Sequence, residues 1–230
     1  MDNRAIRSFT PQISDACIAD LRMRLKTTRF PDAETVEDWR QGMPLSYQQE
    51  LIDYWRGDYD FGRVANRLSE FDNFLTEIEG IDIHFIHKRS RHSGATPLLI
   101  THGWPGSLLE YLDVIDALTN PTEFGGTVDD AFHVVLPALP GFGFSDKPDR
   151  PGTDVGVIAN MWEQLMQRLN YTTFYAHGGD WGSIVTQAVL LQETTGCRSG
   201  HCTLPVVMPD ETTLETLQAE EIDALESFQF

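Results

Sequence analysis

Tyr175-Ala176-His177-Gly178-Gly179-Asp180-Trp181-Gly182-Ser183 decides the fold. Residues 173–176 read as a short apolar strand, and Ser183 to Gln192 as a helix. Asp180 stands at the bend between them, with small residues at 178, 182 and 183. That spacing belongs to a nucleophile elbow, a sharp strand-to-helix turn that lifts one side chain over the C-terminal edge of a parallel sheet. Side chains at 178 or 182 would collide where strand and helix pass close together. The better-known elbow holds Ser; a carboxylate in that place attacks carbon to form an ester. The plainer alternative is a polar turn with Asp180 as a helix N-cap.

A second stretch supports the elbow. Thr96-Pro97-Leu98-Leu99-Ile100-Thr101 reads as a buried strand, and His102-Gly103-Trp104-Pro105-Gly106-Ser107 follows it directly. An elbow fold takes one oxyanion-hole amide from the residue after the nucleophile, here Trp181. It takes the other from a loop after an earlier strand, here the loop that begins His102-Gly103. Pro105 stiffens this loop, and Trp104–Pro105 is a candidate cis peptide. His102 and Pro105 are candidate substrate contacts. Alone, the segment is equally an ordinary turn before a helix. Two such loops in this order, with strand and helix patterns between them, form a constellation.

Composition sets wider bounds. At 230 residues, with 41% apolar and 23% charged side chains, the chain is globular and long enough for a sizeable core. Seventeen basic against thirty-five acidic residues leave a formal charge of −18. Such a balance disfavours nucleic acid and anionic membrane surfaces, which both select Lys and Arg clusters. The stretch from Asp210 onward holds acidic residues and no Lys, Arg or His, and reads as a solvated helix over 211–228. Cys17, Cys197 and Cys202 form no CxxC pair, which suits a reducing cytoplasm. A metal at Cys197, His201 and Cys202 would want a fourth ligand that the spacing does not supply. No apolar run approaches the ~20 residues that span a bilayer, and Met-Asp-Asn-Arg lacks the form of a signal peptide, so a soluble protein is expected.

From the start, helices are expected at Ser14–Lys26 (Ser14 as cap), Ser46–Gly57 and Asp60–Ser69. Phe74–Ile78 and Ile81–His87 read as strands joined at Glu79-Gly80, with Ile81, Ile83 and Phe85 on one face. His84 and His87 read as strand-surface histidines rather than metal ligands. A helix follows at Leu108–Leu118, a strand at His133–Leu136 and a helix within Thr153–Leu169. The loop Pro137–Pro148 lies between, with Phe142 and Phe144 as candidate pocket wall or simple packing. Thr203–Pro209 reads as the last strand and its exit, with His201 at its head. Alternating strands and helices give a parallel α/β sheet whose ligands bind off the C-terminal strand ends, where His102, Trp104, Asp180 and Trp181 fall.

Three motifs taken together resemble the epoxide hydrolases of the α/β-hydrolase fold, most nearly the microsomal type. They are His102-Gly103-Trp104-Pro105-Gly106-Ser107, Leu136-Pro137-Ala138-Leu139-Pro140-Gly141-Phe142-Gly143-Phe144-Ser145 and Gly178-Gly179-Asp180-Trp181-Gly182. Thr28-Arg29-Phe30-Pro31 and the strands at 74–87 extend the resemblance, which runs from about residue 9 to 209. It implies an α/β-hydrolase fold with a helical N-terminal extension: an N-terminal region over 1–90 running into the first strands, a partial core over 91–209, and the start of a cap helix over 210–230. It further implies that Asp180 opens an epoxide as nucleophile, with the amides of Trp104 and Trp181 as oxyanion hole, a device worth about 3 kcal/mol per donor. The substrates would be a small apolar epoxide and water, the product a vicinal diol, and no metal or organic cofactor is used. A cytoplasmic role in epoxide metabolism, detoxification or aromatic hydrocarbon catabolism goes with it.

The chain also departs from that family. No Tyr follows Tyr175 to serve as a cap acid, and His201 is the only His after Asp180. The expectation is therefore a truncated member that lacks most of the cap and the last strands, with an exposed sheet edge open to association, including homo-oligomers. Two alternatives stay open: a non-catalytic remnant or interaction fragment, and a haloalkane-dehalogenase-like hydrolase, which also uses an elbow Asp.

Overall fold

A seven-stranded mixed sheet organises the chain, in the order β1-β2-β3-β5-β4-β6-β7. The computed structural model describes residues 5–193, 195–206 and 211–227. The strands are β1 (Arg7–Ser8), β2 (Asn73–Ile78), β3 (Ile81–Lys88), β4 (Thr96–Thr101), β5 (Phe132–Pro137), β6 (Phe174–Gly178) and β7 (Cys197–Cys202). Only β4 to β7 are parallel; β1, β2 and β3 join antiparallel, and β3 joins β5 antiparallel. The all-parallel expectation therefore holds for the half of the sheet that carries the site. The short β2–β3 connection is a tight turn at Glu79-Gly80, both with positive φ, and so tight a turn can only reverse the chain.

Three helices precede β2: α1 (Asp15–Lys26), α2 (Leu45–Arg56) and α3 (Gly62–Ser69). Ser14 caps α1, its Oγ accepting from the Cys17 amide. The helix after β4 begins as a 3₁₀ turn over Leu108–Tyr111 and becomes α4 only at Leu112–Thr119. Then come α5 (Val155–Arg168), capped by Asp154, α6 (Trp181–Leu190), and the short α7 (Glu211–Leu214) and α8 (Ala219–Ser227). The single acidic helix expected over 211–228 is thus two helices. Val207, Met208, Pro209, Asp210 and Phe228 lie outside the described residues.

Two apolar cores sandwich the sheet. One packs Ile81, Ile83, Phe85, Leu99, Val135 and Ala176 against Trp162 and Leu165 of α5 and Val185 and Val189 of α6. The other packs Ile86, Leu98, Ile100, Val134 and Leu136 against Leu112 and Ile115 of α4 and Leu68 of α3. Strand alternation produces this division, since neighbouring residues face opposite sides.

Two readings of single residues change. His84 is not a surface histidine. It is buried, its Nε2 lies 2.9 Å from Asn73 Oδ1, and Phe9 and Phe144 pack on its ring. Among the described residues the last strand is Cys197–Cys202; residues 203–206 are not a strand, and the rest of the expected strand, to Pro209, lies outside the described residues. It pairs parallel to β6, and Gly200 lets it lie on α6: a Cβ there would sit 2.6 Å from Leu190 Cδ1. His201 accordingly sits near the C-terminal end of this strand, opposite His177.

Candidate active site

The elbow forms where β6 stops at Gly178 and α6 starts at Trp181. Asp180 takes φ 53° and ψ −126°, a region that L residues seldom enter. Two hydrogen bonds close the turn: the Ser183 amide donates to the Asp180 carbonyl at 2.9 Å, and Ser183 Oγ donates to the Gly178 carbonyl at 2.7 Å. The glycines are obligatory here. A Cβ on Gly178 would run into the Gly182 carbonyl, and one on Gly182 into the Thr101 carbonyl, both far inside van der Waals contact. Tyr111 supports the turn from the side, its hydroxyl bonded to the Gly179 backbone.

The Asp180 carboxylate meets the loop after β4. The Trp104 amide donates to Asp180 Oδ1 at 2.7 Å, and the Trp181 amide also bonds the carboxylate. These two donors, Trp104 first, hold the carboxyl below its ordinary range, so it is ionised at neutral pH. Trp104–Pro105 is cis. Beyond it, Ser107 and Glu110 form a capping box that anchors the loop to the 3₁₀ turn.

His102 does a different job from the substrate contact expected of it. Its ring is buried; Nε2 accepts from the Leu139 amide at 3.0 Å, and Nδ1 lies 2.9 Å from the Gly103 carbonyl. An accepting Nε2 places the proton on Nδ1, so His102 is neutral, and burial pushes its pKa down to match. Its role is to tie the loop after β4 to the loop after β5. Pro105 is exposed on the loop and is not among the residues lining the neighbouring cleft.

That cleft, of about 520 Å³, runs beside the elbow and is walled chiefly by Trp104, Leu139, Phe142, Ile158, Trp181 and Val185. Phe142 therefore lies in the wall, with its ring edge on His102. Phe144 does not; it packs between Phe9 and His84. Ile158 lies on α5 and Val185 on α6, and a helical period carries no sign that a cleft would cut across the two helices. His201 lies with its Nδ1 2.9 Å from His177 Nδ1, the rings stacked. The Cys197 and Cys202 thiols bond separately, to the carbonyls of Ser199 and Ser183.

A family model described as epoxide hydrolase N terminus matches residues 6–111, and one described as alpha/beta hydrolase fold matches residues 96–225. A Stigmatella aurantiaca protein provisionally named an epoxide hydrolase is 47% identical over 97% of this chain and 51% of its own length. Epoxide hydrolase 1 of Oryctolagus cuniculus is 32% identical over 98% of this chain and 50% of its own. The chain belongs to the epoxide hydrolase family. Among solved epoxide hydrolase structures, the juvenile hormone epoxide hydrolase of Bombyx mori superposes with a TM-score of 0.81 at 29% identity, covering 96% of this chain and 52% of that one. The Aspergillus niger epoxide hydrolase gives 0.78 at 28% identity, covering 96% and 58%. This family member thus spans about half the length of the curated relatives it matches. Among its described residues, no helix is long and apolar enough to cross a membrane.

Proposed function

We propose that this chain carries the nucleophilic half of epoxide hydrolysis. The observation behind it is an ionised Asp180 on a strained elbow, its Oδ1 bonded to the Trp104 amide, beside an apolar cleft. An Asp180 oxygen attacks an epoxide carbon from the back. The C–O bond breaks, its electron pair goes to the ring oxygen, and that oxygen takes a proton from water to become a hydroxyl, the hydroxide left behind being neutralised by the proton released when the ester is hydrolysed. The product is a β-hydroxyalkyl ester of Asp180. Attack of water on the ester carbonyl then releases a vicinal diol and restores the carboxylate. In that second step the ester carbonyl oxygen becomes an oxyanion, which the amides of Trp104 and Trp181 are positioned to receive.

Substrate choice follows from the cleft wall. Trp104, Phe142, Ile158 and Trp181 favour an apolar, preferably aryl-bearing, epoxide over a charged one. Such an activity belongs to epoxide metabolism: detoxification or aromatic hydrocarbon catabolism. Three free cysteines favour the cytoplasm as its setting.

Intact-protein mass after incubation with styrene oxide, read beside diol formation, tests the proposal. The parent chain should gain the mass of one epoxide or release diol; Asp180→Asn should do neither. Ester without diol would locate the chemistry in the first step alone. An unmodified parent that forms no diol, or a variant that reacts like the parent, would sink the proposal.

A further inference from the structure

The residues that wall the cleft beside Asp180 differ in what else they do. Trp104 and Trp181 hold the carboxylate through their amides. The Phe142 ring rests on His102, and the Phe142 amide donates to the Leu139 carbonyl at 2.9 Å. Leu139 and Val185 are buried in the core. A change at any of these disturbs the elbow, its loops or the packing beneath them. The rest of the apolar wall comes chiefly from the first turns of α5, through Val155 and Ile158. Both side chains are half-buried, and three residues apart they share one face of the helix. The helix itself is secured elsewhere, by the Asp154 cap on the Val157 amide.

α5 is also fixed in height against the reactive loop. Trp162, fully buried, donates its indole N–H to Thr101 Oγ1 at 3.1 Å. Thr101 is the last residue of β4, and the loop that carries Trp104 departs from it. Ile158 lies on the same face of α5 as Trp162, one turn or about 5.4 Å nearer the start of the helix. That turn carries it past the strand end and into the cleft, deeper than the smaller Val155. A β-branched side chain in a helix keeps essentially one χ1 rotamer, so Ile158 is a firm wall that does not swing aside. We infer that Ile158 is the specificity-determining residue of this site: its side chain sets how large an apolar substituent the epoxide carries while Asp180 reaches the ring carbon. The substrates it grades are terminal epoxides bearing aryl groups of increasing size. This deepens the Asp180 reading and rests on it.

Competition between two epoxides tests the proposal. The parent chain, Ile158→Ala and Ile158→Phe each receive styrene oxide and naphthyl oxirane together in excess, and the adducts and diols of both are measured by mass. The ratio of naphthyl to phenyl products compares two rate constants within one sample, so it does not depend on how much of a variant is folded. An apolar pocket changes its discrimination by about tenfold or more for each methylene of fit. Ile158→Ala should therefore raise the ratio about tenfold over the parent, and Ile158→Phe should lower it by as much. Val157→Ala, which trims α5 where it packs on the core and not in the cleft, should leave the ratio at the parent value. Products at the parent ratio from both Ile158 variants, or the same change from Val157→Ala, would overturn the proposal and leave the Asp180 chemistry standing. A parent that reacts with neither epoxide would sink the Asp180 reading, and ligand-observed NMR of the two corresponding diols on the same chains then decides for Ile158. A ratio of dissociation constants that moves in opposite directions in Ile158→Ala and Ile158→Phe keeps it as the selector of the cleft, and a ratio that stays put removes it.

Discussion

Asp180 shows how a single residue combines chemistry with strain. Its positive φ lifts the carboxylate toward the amides of Trp104 and Trp181, and a Cβ in that region is sterically disfavoured. Removing the carboxylate separates the two effects. Asp180→Ala keeps the Cβ in the strained region, whereas Asp180→Gly releases it. Asp180→Gly should therefore melt roughly 2–6 °C above Asp180→Ala, both being inert toward epoxides. Differential scanning calorimetry of the pair decides this, and equal melting points would mean that the turn costs nothing. Residues of this kind are the part of the site legible in sequence: Gly178, Asp180 and Gly182 are required by local geometry, and local geometry follows chain spacing. His102 was legible as a site residue but not in its role. The Leu139 amide that occupies its Nε2 is far away in the chain, and only the packing of two loops brings it there.

At the scale of elements, the β6–α6 unit tolerates no added atom at its crossing point. Gly182→Ala should drive a methyl into the Thr101 carbonyl, pushing α6 off the sheet and Asp180 away from the Trp104 amide. The expected cost is about 3 kcal/mol or more, at the upper end of overpacking effects, read as a lower urea midpoint together with loss of the epoxide adduct. A variant with parent stability would refute the close approach. Elements with strong apolar periods, such as α5 with its buried Trp162 and Leu165, were legible for the same reason that they are stable. β7 was not. Its sequence, Cys-Arg-Ser-Gly-His-Cys, is polar, while the apolar Thr203-Leu204-Pro205-Val206-Val207 attracts the strand assignment. A parallel strand is usually apolar because both its faces are buried. Among the described residues β7 is a terminal strand with one face on α6, so polar side chains are tolerated, and Gly200 lets the strand approach Leu190 closely.

For the whole molecule, burial of histidines links stability to pH. The amide of Asn73 donates to the Leu68 and Phe71 carbonyls, which leaves Asn73 Oδ1 to accept from Nε2–H of His84. The other ring nitrogen, Nδ1, is buried with no hydrogen-bond partner, and burial pushes the pKa down to about 4. His87, beside Tyr171, is pushed to about 4 as well, by burial first and then by Arg89. A histidine that stays neutral in the fold and titrates at its ordinary value once unfolded contributes stability above pH 6.5 and loses it as pH falls toward 4. For His84 the loss is on the order of 3 kcal/mol across that window. Urea titrations at pH 7 and pH 4.5 should show a smaller drop for His84→Gln than for the parent, and an equal drop would contradict the assignment. Neither histidine could be placed from its strand pattern, because β3 is covered on both faces. The sequence by itself determined the elbow, the His102-Gly103 loop after β4 and the alternation of strands and helices, all set by steric rules acting between near neighbours. Only the tertiary structure decided which residues wall the cleft, what His102 and His84 hold, and that the polar Cys197–Cys202 is a strand. Those outcomes depend on contacts between segments far apart in the chain and on the handedness of the crossovers, which no local pattern encodes.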